Sequence, residues 1–484
     1  MTHFTARRGA ARLALLAGLG TAACAVNPAT GSRQLMLISE SQEIAMGRDY
    51  DREVAASIGV YADSGLQRYI QQFGGRLAAT SERPNLPWSF RVVDDPVVNA
   101  FALPGGYIYV TRGILAHLNS EAELAGVVGH EIGHVTARHS VSQMSKQQLA
   151  QLGLAIGTIA SPQFERYAGL AGAGLGVLFL KFSRDAESQA DDLGLRYLRR
   201  ANYDPREMPH VFAMLTRVSQ AQGGGRIPEW LATHPDPENR RGRIEQEVAA
   251  LPQSFPGAAV NRDAYLRRLD GLVFGNNPRE GFFKGAQFFH PDLRFRLTFP
   301  EGWTTSNGKQ TVVAVSPRKD AAVELSLAKE QTADGAAQVF LSQKGVTGSY
   351  PTRTTIGGLP AVSAAFAAAT ENGTLRGTAL FVEHGGGVYR LVGYATEARW
   401  PTVQAAAERA LQSFARLTDP AVLGVEPQRV DIVTLDQRTT IEEMARRRPS
   451  PVSAATLALV NQVEPQTPLE PGRLVKWIVG QALP

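Results

Sequence analysis

His130, Glu131 and His134, set in Val128-Gly129-His130-Glu131-Ile132-Gly133-His134, have the types and spacing that perform hydrolysis. Residues four apart share one face of a helix, so both imidazoles reach a single metal ion while the carboxylate beside them moves a proton. Two surface histidines on an ordinary helix have the same spacing, and a third ligand decides between the readings. The element that must position them is a helix. Ser120 and Glu123 form a capping-box pattern, and Leu124, Val127, Val128 and Val135 supply an apolar stripe that sets the histidines beside a buried face.

Donors for a third ligand are few. Between His139 and Arg184 the only carboxylate is Glu165, in an irregular stretch after Ser161-Pro162. The next helix contains Glu187-Ser188-Gln189-Ala190-Asp191, whose two acids share a face; one can bind the metal while the other orients a ligand histidine through its second ring nitrogen. His139 is set aside as a ligand, since it lies five residues beyond His134, not six, and lacks the glycine turn of three-histidine proteases. Upstream, Ser89 to Val93 and Tyr107 to Thr111 alternate like strands around Asn99-Ala100-Phe101-Ala102-Leu103-Pro104-Gly105-Gly106. Pro104 and the glycines suit a sheet edge, which can add a substrate peptide as another strand, although a plain hairpin has the same pattern.

A chain of 484 residues, 44% hydrophobic and 20% charged, has room for several cores, which excludes disorder as its global state. The net charge of +5 falls to +2 when Arg7, Arg8 and Arg12 are set aside as part of a leader. No basic face interleaved with aromatics is present, so nucleic acid is not an expected partner, and Arg446-Arg447-Arg448 reads as solvated surface.

Residues 1–23 read as a secretory signal, with Leu13 to Leu19 as the apolar core and Thr21-Ala22-Ala23 as the cleavage region. Cys24 is the single cysteine and cannot form an internal disulfide; its position resembles a bacterial lipoprotein signal, which implies lipidation at Cys24 and, with Ala25 next, an outer-membrane anchor. Asn27 to Ser32 then reads as a polar tether within residues 24–38. Ser39 with Gln42, and Asp63, open two scaffold helices. Residues 150–181, rich in Gly, Ala and Leu, suit two packed helices or an apolar groove wall, and are too interrupted to span a bilayer.

In order and spacing, Asn99 to Gly106, the His130 to His134 motif, Ser183-Arg184-Asp185-Ala186-Glu187 with Asp191, and Thr233-His234-Pro235 followed by Arg240 resemble the HtpX and CAAX prenyl protease family of gluzincins. The resemblance is closer still to the soluble periplasmic, BepA-like lipoprotein branch, tether included, and covers about residues 24 to 250. It implies one Zn2+ per chain held by His130, His134 and Glu187, with Glu131 as the catalytic carboxylate and Asp191 orienting a ligand from behind. It further implies a substrate-docking edge strand at residues 99–108, through Asn99, Ala100, Phe101, Ala102 and Leu103. His234, after the glycine-rich Gln220 to Arg226, would either restrain the site as a switch or assist the transition state, and Arg240 would orient that loop or the bound species. His117, His210, His290 and His384 carry no supporting pattern.

Beyond residue 255 the composition changes to alternating strands with two helical patterns, an α+β module without a catalytic constellation. The tail reads strand, helix, helix, strand and resembles a divergent LysM module, with Asp436-Gln437-Arg438 in place of its leading Gly-Asp. The expected class is therefore α+β. A mainly helical gluzincin domain with a small edge-exposed β-sheet (39–255) is followed by a linker (256–289), an α+β module (290–420) and a small βααβ LysM-like module (421–484).

The expected function is that of a zinc endopeptidase, in which Glu131 acts as general base, cleaving unfolded or misassembled envelope proteins from an outer-membrane lipid anchor in the periplasm. The outer-membrane assembly machinery and peptidoglycan are further candidate partners. A chaperone or binding lipoprotein with a latent site, and an amidase of wall peptides, stand as the alternatives.

Overall fold

A computed structural model describes residues 24–153, 181–221, 233–234, 237–251, 255–370 and 373–481. The stretch expected to be a leader, 1–23, most of the stretch at 150–181 and most of the glycine-rich loop lie outside the described residues. The architecture is mixed α+β, and no described helix is long and apolar enough to cross a membrane.

Strands β1 (Cys24–Val26) and β2 (Arg33–Leu35) pair antiparallel as a short ribbon. Helix α1 (Glu40–Ser57) starts from a complete capping box between Ser39 and Gln42, and α2 (Ser64–Ala78), capped by Asp63, buries the stripe Leu66, Tyr69, Ile70, Phe73 and Leu77. A three-stranded sheet follows. Central β5 (Tyr107–Thr111) pairs parallel with β3 (Ser89–Val93) and antiparallel with β4 (Ala100–Leu103), which leaves β4 at an edge.

Helix α3 (Arg112–His117) leads into α4 (Glu121–Thr136), which carries the histidine motif and is buried along almost its whole length. Helices α5 (His139–Gly153), α6 (Arg184–Arg200), α7 (Met208–Ala221) and α8 (Pro237–Ala249) complete the helical body.

Two stretches expected as connectors are packed structure. Residues 256–289 hold α9 (Arg262–Arg268), whose Tyr265 and Leu266 are fully buried and whose Tyr265 hydroxyl donates to Leu115 O at 2.9 Å. Apolar Leu269 and Leu272, buried behind it, supply the reason: they carry more burial energy than an exposed linker could keep out of a core. The N-terminal segment is docked as well. Asn27 is buried, Gln34 Nε2 donates to Ala137 O, and Leu37 N donates to Ser145 Oγ.

The next module contains an eight-stranded sheet centred on β6 (Ala321–Leu327), β7 (Gly373–His384) and β8 (Gly387–Thr396), with β8 between the other two. Alternation along β7 splits its core in two: Leu380 and Val382 face α11 (Trp400–Gln412), while Ala379 and Phe381 face α10 (Ala333–Leu341).

The tail forms β9 (Arg429–Thr434), α12 (Ile441–Arg447), α13 (Ala454–Val460) and β10 (Leu474–Val479), with β9 and β10 antiparallel. It does not stand apart, because Leu457, Leu474, Trp477 and Ile478 join the core of the helical body. Lys476 is fully buried, and its ammonium donates to Ala116 O at 2.7 Å and Leu118 O at 2.8 Å, satisfying carbonyls at the end of α3.

Replacing Lys476 by Met should destabilise the chain by several kcal/mol, at about 1–3 kcal/mol for each buried acceptor left unpaired. Urea unfolding of K476M beside the parent measures it, and equal midpoints would remove this contact as a clamp. Beside it, burial pushes the His117 imidazole from 6.5 down to about 4, with the Lys476 cation adding to the effect. The unfolded chain therefore binds the proton first, and stability is lost as pH falls from 6.5 through 4, by about 3 kcal/mol from this group. Subtracting the acid profile of H117Q from that of the parent isolates this loss.

Candidate metal centre

The site is made by two helices that touch backbone to backbone. A methyl on Gly194 of α6 would lie 2.9 Å from His130 N, and one on Gly133 of α4 would lie 2.9 Å from Ala190 O. Only hydrogen fits at these crossing points, so the motif glycines let α6 approach closely enough for its first turn to meet both histidines. Ser183 caps that turn by accepting from Ala186 N, which fixes where Glu187 begins to project.

The predicted donors converge. His130 Nε2 and His134 Nε2 are 3.0 Å apart, and Glu187 oxygens lie 3.4 Å from His134 Nε2 and 3.7 Å from His130 Nε2. His234 joins them, with Nδ1 at 2.9 Å from Glu187 Oε1 and 3.3 Å from His130 Nε2. One ligand atom from each of the four fits within a 4.8 Å span, and all four residues are buried. Behind His130, Asp191 Oδ1 sits 2.8 Å from Nδ1, which requires the imidazole proton there and leaves Nε2 bare. Arg240 spans both acids, at 2.8 Å from Glu187 Oε2 and 2.9 Å from Asp191 Oδ2, and lies over the Phe212 ring.

The electrostatics fit a cation. Burial alone would raise the Glu187 carboxyl, but His234 and His134 beside it hold it well below the usual range. Burial likewise opposes ionisation of Asp191, and Arg240 overcomes it, keeping that acid ionised. Burial pushes His130 down to about 3 and His139 down to about 3, so neither imidazole takes a second proton. Imidazole nitrogens and an ionised carboxylate facing one another need positive charge among them. Burial opposes it at His234, but Glu187 and Glu131 raise that imidazole, so His234 can supply the charge while it sits in the cluster and a cation would replace it when it leaves. Glu131 completes the picture. Burial raises its carboxyl, and its buried Oε1 has no hydrogen-bond partner among the described residues and lies 3.8 Å from His234 Nε2.

Of the remaining predicted residues, Ala100 to Leu103 form β4 alongside α4, with Phe101 and Ala102 half-buried and Phe101 stacked on Tyr109 at 4.8 Å. Asn99 lies just before that strand, where its carbonyl accepts from Thr111 N. Cys24 opens β1.

Two residues at the centre, Phe182 and His139, were not singled out from the sequence as contributors. Phe182 stacks on the His134 ring at 4.2 Å, and His139 Nδ1 lies 2.9 Å from His134 Nδ1. His139 returns because α4 ends at Thr136 and Arg138 turns the chain through φ 56. A left-handed arginine carries no turn signature, and the guanidinium is held by Glu43 and Ile38 O. The visible clue was only the repeat of histidine five residues after His134.

Residues 64–248 match Peptidase family M48. The chain is 36% identical over 222 residues to the beta-barrel assembly-enhancing protease of Yersinia pestis, covering 44% of this chain and 45% of that protein. It is 32% identical over 265 residues to the Escherichia coli (strain K12) protein of the same name, covering 52% and 53%. To the mitochondrial metalloendopeptidase OMA1 of Schizosaccharomyces pombe it is 30% identical over 243 residues, covering 49% of this chain and 68% of that one. The chain spans about half the length of the first two of these relatives.

Gly194→Ala tests the crossing. The added methyl meets backbone atoms of His130, so the helices must part; about 1–3 kcal/mol of stability and much of the metal retention should be lost. Gly75→Ala, in α2 with nothing within 4 Å of the new methyl, should be neutral or mildly stabilising. Equal effects of the two on urea midpoint and bound metal would discard the argument.

Proposed function

The chain belongs to the metalloproteases of Peptidase family M48, and from that premise we propose that it is a zinc endopeptidase acting on unfolded or misassembled proteins of a bacterial envelope. The observation that carries the chemistry is the buried convergence of His130, His134 and Glu187 beside a Glu131 oxygen that has no hydrogen-bond partner among the described residues. These three residues would hold the ion, the two-histidine, one-glutamate set of catalytic zinc sites. Zinc bound there supplies the Lewis acidity that makes water a nucleophile near neutral pH and polarises a carbonyl.

The chain's own groups do the rest. Glu131, whose carboxyl burial raises, takes the proton of the attacking water and passes it to the nitrogen of the leaving amine. Asp191 and Arg240 hold His130 and Glu187 in place, so little reorganisation is needed during reaction. The edge of β4 offers backbone hydrogen bonds to an extended peptide, which selects mobile segments rather than particular side chains. His234 stands within the donor cluster at rest, and we read it as a restraint that must leave before substrate enters. The name of the Yersinia and Escherichia relatives supports an envelope setting, in which Cys24 would carry lipid and hold the enzyme at the periplasmic face of the outer membrane. The tail would then serve as a wall-facing or structural module.

Cleavage of an unfolded protein by the purified full chain tests this reading. Glu131→Gln should lose about 10²- to 10⁴-fold in turnover while still binding zinc. A chelator should abolish activity and one equivalent of zinc restore it. Should Glu131→Gln keep the phenotype of the parent, a chaperone explains the chain better. His234→Ala should cleave faster than the parent, and slower cleavage would make His234 an assistant rather than a restraint.

A further inference from the structure

Both metal-side imidazoles must keep a proton on the nitrogen that faces away, and the chain arranges this in two different ways. At His130 the carboxylate of Asp191 demands it. At His134 the neighbour is another imidazole, His139, and two ring nitrogens 2.9 Å apart can share one proton in either sense.

The groups beyond His139 decide the sense. His139 Nε2 lies 2.8 Å from Gln189 Oε1, an atom that only accepts, so Nε2 carries the hydrogen and His139 Nδ1 is left to accept. Gln189 could turn its nitrogen that way instead, but Asn27 Nδ2 donates to the same oxygen at 3.3 Å. Asn27 is itself fixed, because its Oδ1 accepts from Ala29 N at 2.8 Å and Thr30 N at 3.3 Å, the closed form of an Asx turn. Donor and acceptor order is therefore set, link by link, from the N-terminal turn to the metal ligand.

We propose that the docked N-terminal segment is a positioning element of the metal centre: Asn27, Gln189 and His139 form a polarity relay that keeps His134 protonated on Nδ1 and open on Nε2. This rests on the zinc reading above, and none of the three residues is assigned contact with metal or substrate. The segment is held for the task. Asn27 is 1% exposed, and Gln34 and Leu37 bind Ala137 O and Ser145 Oγ on either side of His139.

The relay predicts a reversal. Asn27→Asp keeps the accepting oxygen of the turn but places an acceptor where Nδ2 donated. Gln189 then turns its NH2 outward to meet both the new carboxylate and His139. The His139 proton moves to Nδ1, and His134, facing a donor, is left to carry its proton on the metal side.

The test loads the full chain with one zinc and follows release to a chromophoric chelator, with the cobalt-substituted absorption spectrum and the thermal midpoint of the metal-free protein alongside. Asn27→Asp and Gln189→Leu should release zinc about 10- to 100-fold faster than the parent, with altered cobalt spectra and unchanged metal-free midpoints. Asn27→Ala should do less harm than Asn27→Asp. Gln189→Glu, which still presents an oxygen to His139, should stay within about threefold of the parent. Parental release from Asn27→Asp, or equal failure of Gln189→Glu and Gln189→Leu, would overturn the relay and leave only space-filling. A parent that binds no zinc, or a Glu187→Ala variant that binds it equally well, would instead sink the zinc reading itself.

Discussion

The close crossing of α4 and α6 is the constraint on which the centre depends. Gly129, Gly133 and Gly194 remove the side chains that would hold the two backbones apart, and a methyl at any of the three would meet the opposite backbone at 2.9 to 3.0 Å. That approach places the first turn of α6 over the histidines of α4, and no flexible side chain stands at the contact to absorb error. It also forces the acids of α6 into a buried space, where ionised groups are costly unless paired.

Pairing follows from that cost. Glu187 and Asp191 are both almost fully buried, and Arg240 from α8 bridges them, with Arg243 adding a second contact to Asp191 at 3.2 Å. Arg240 and Arg243 face the carboxylates from α8, and the positive charge on the opposite side, where the imidazole nitrogens also point, falls to His234 or to a cation in its place. The residues that orient the ligands and those that balance their charge are thus largely the same. Removing one would disturb geometry and protonation together.

The part of this arrangement that was legible in the sequence is the part set by helical period. His130, His134 and Glu131 follow from four-residue spacing, Glu187 and Asp191 from the same rule one helix later, and the stripe on α2 from its apolar repeat. What was not legible depends on where turns send the chain. His139 returns to His134 through a left-handed Arg138, a residue type with no preference for that conformation. Asn27-Pro28-Ala29-Thr30-Gly31-Ser32 specifies a turn by composition, yet composition says nothing of what the turn packs against, so a docked segment reads as a free tether. Lys476 presents the same difficulty. Within a strand it looks like surface charge, and only the carbonyls of Ala116 and Leu118 explain its burial.

The N-terminal segment and the tail bear on the same helix. At the entrance to α4, the tail supplies Lys476 to the carbonyls ahead of the cap, while Gln462 donates to Glu123 in the first turn. At its exit, Gln34 and Ile38 hold Ala137 and Arg138, and buried Glu43 takes the guanidinium of Arg138 with one oxygen while the other accepts from Gly105 N, in the turn after the edge strand. The helix that carries the histidines is therefore fixed at both ends by segments from opposite ends of the described chain. Glu43 adds a direct mechanical link between the helix that carries the histidines and the edge strand proposed to take substrate. A helix held at only one end could rotate its imidazoles by fractions of an ångström at little cost; held at both, it transmits the position of its neighbours into the geometry of the site.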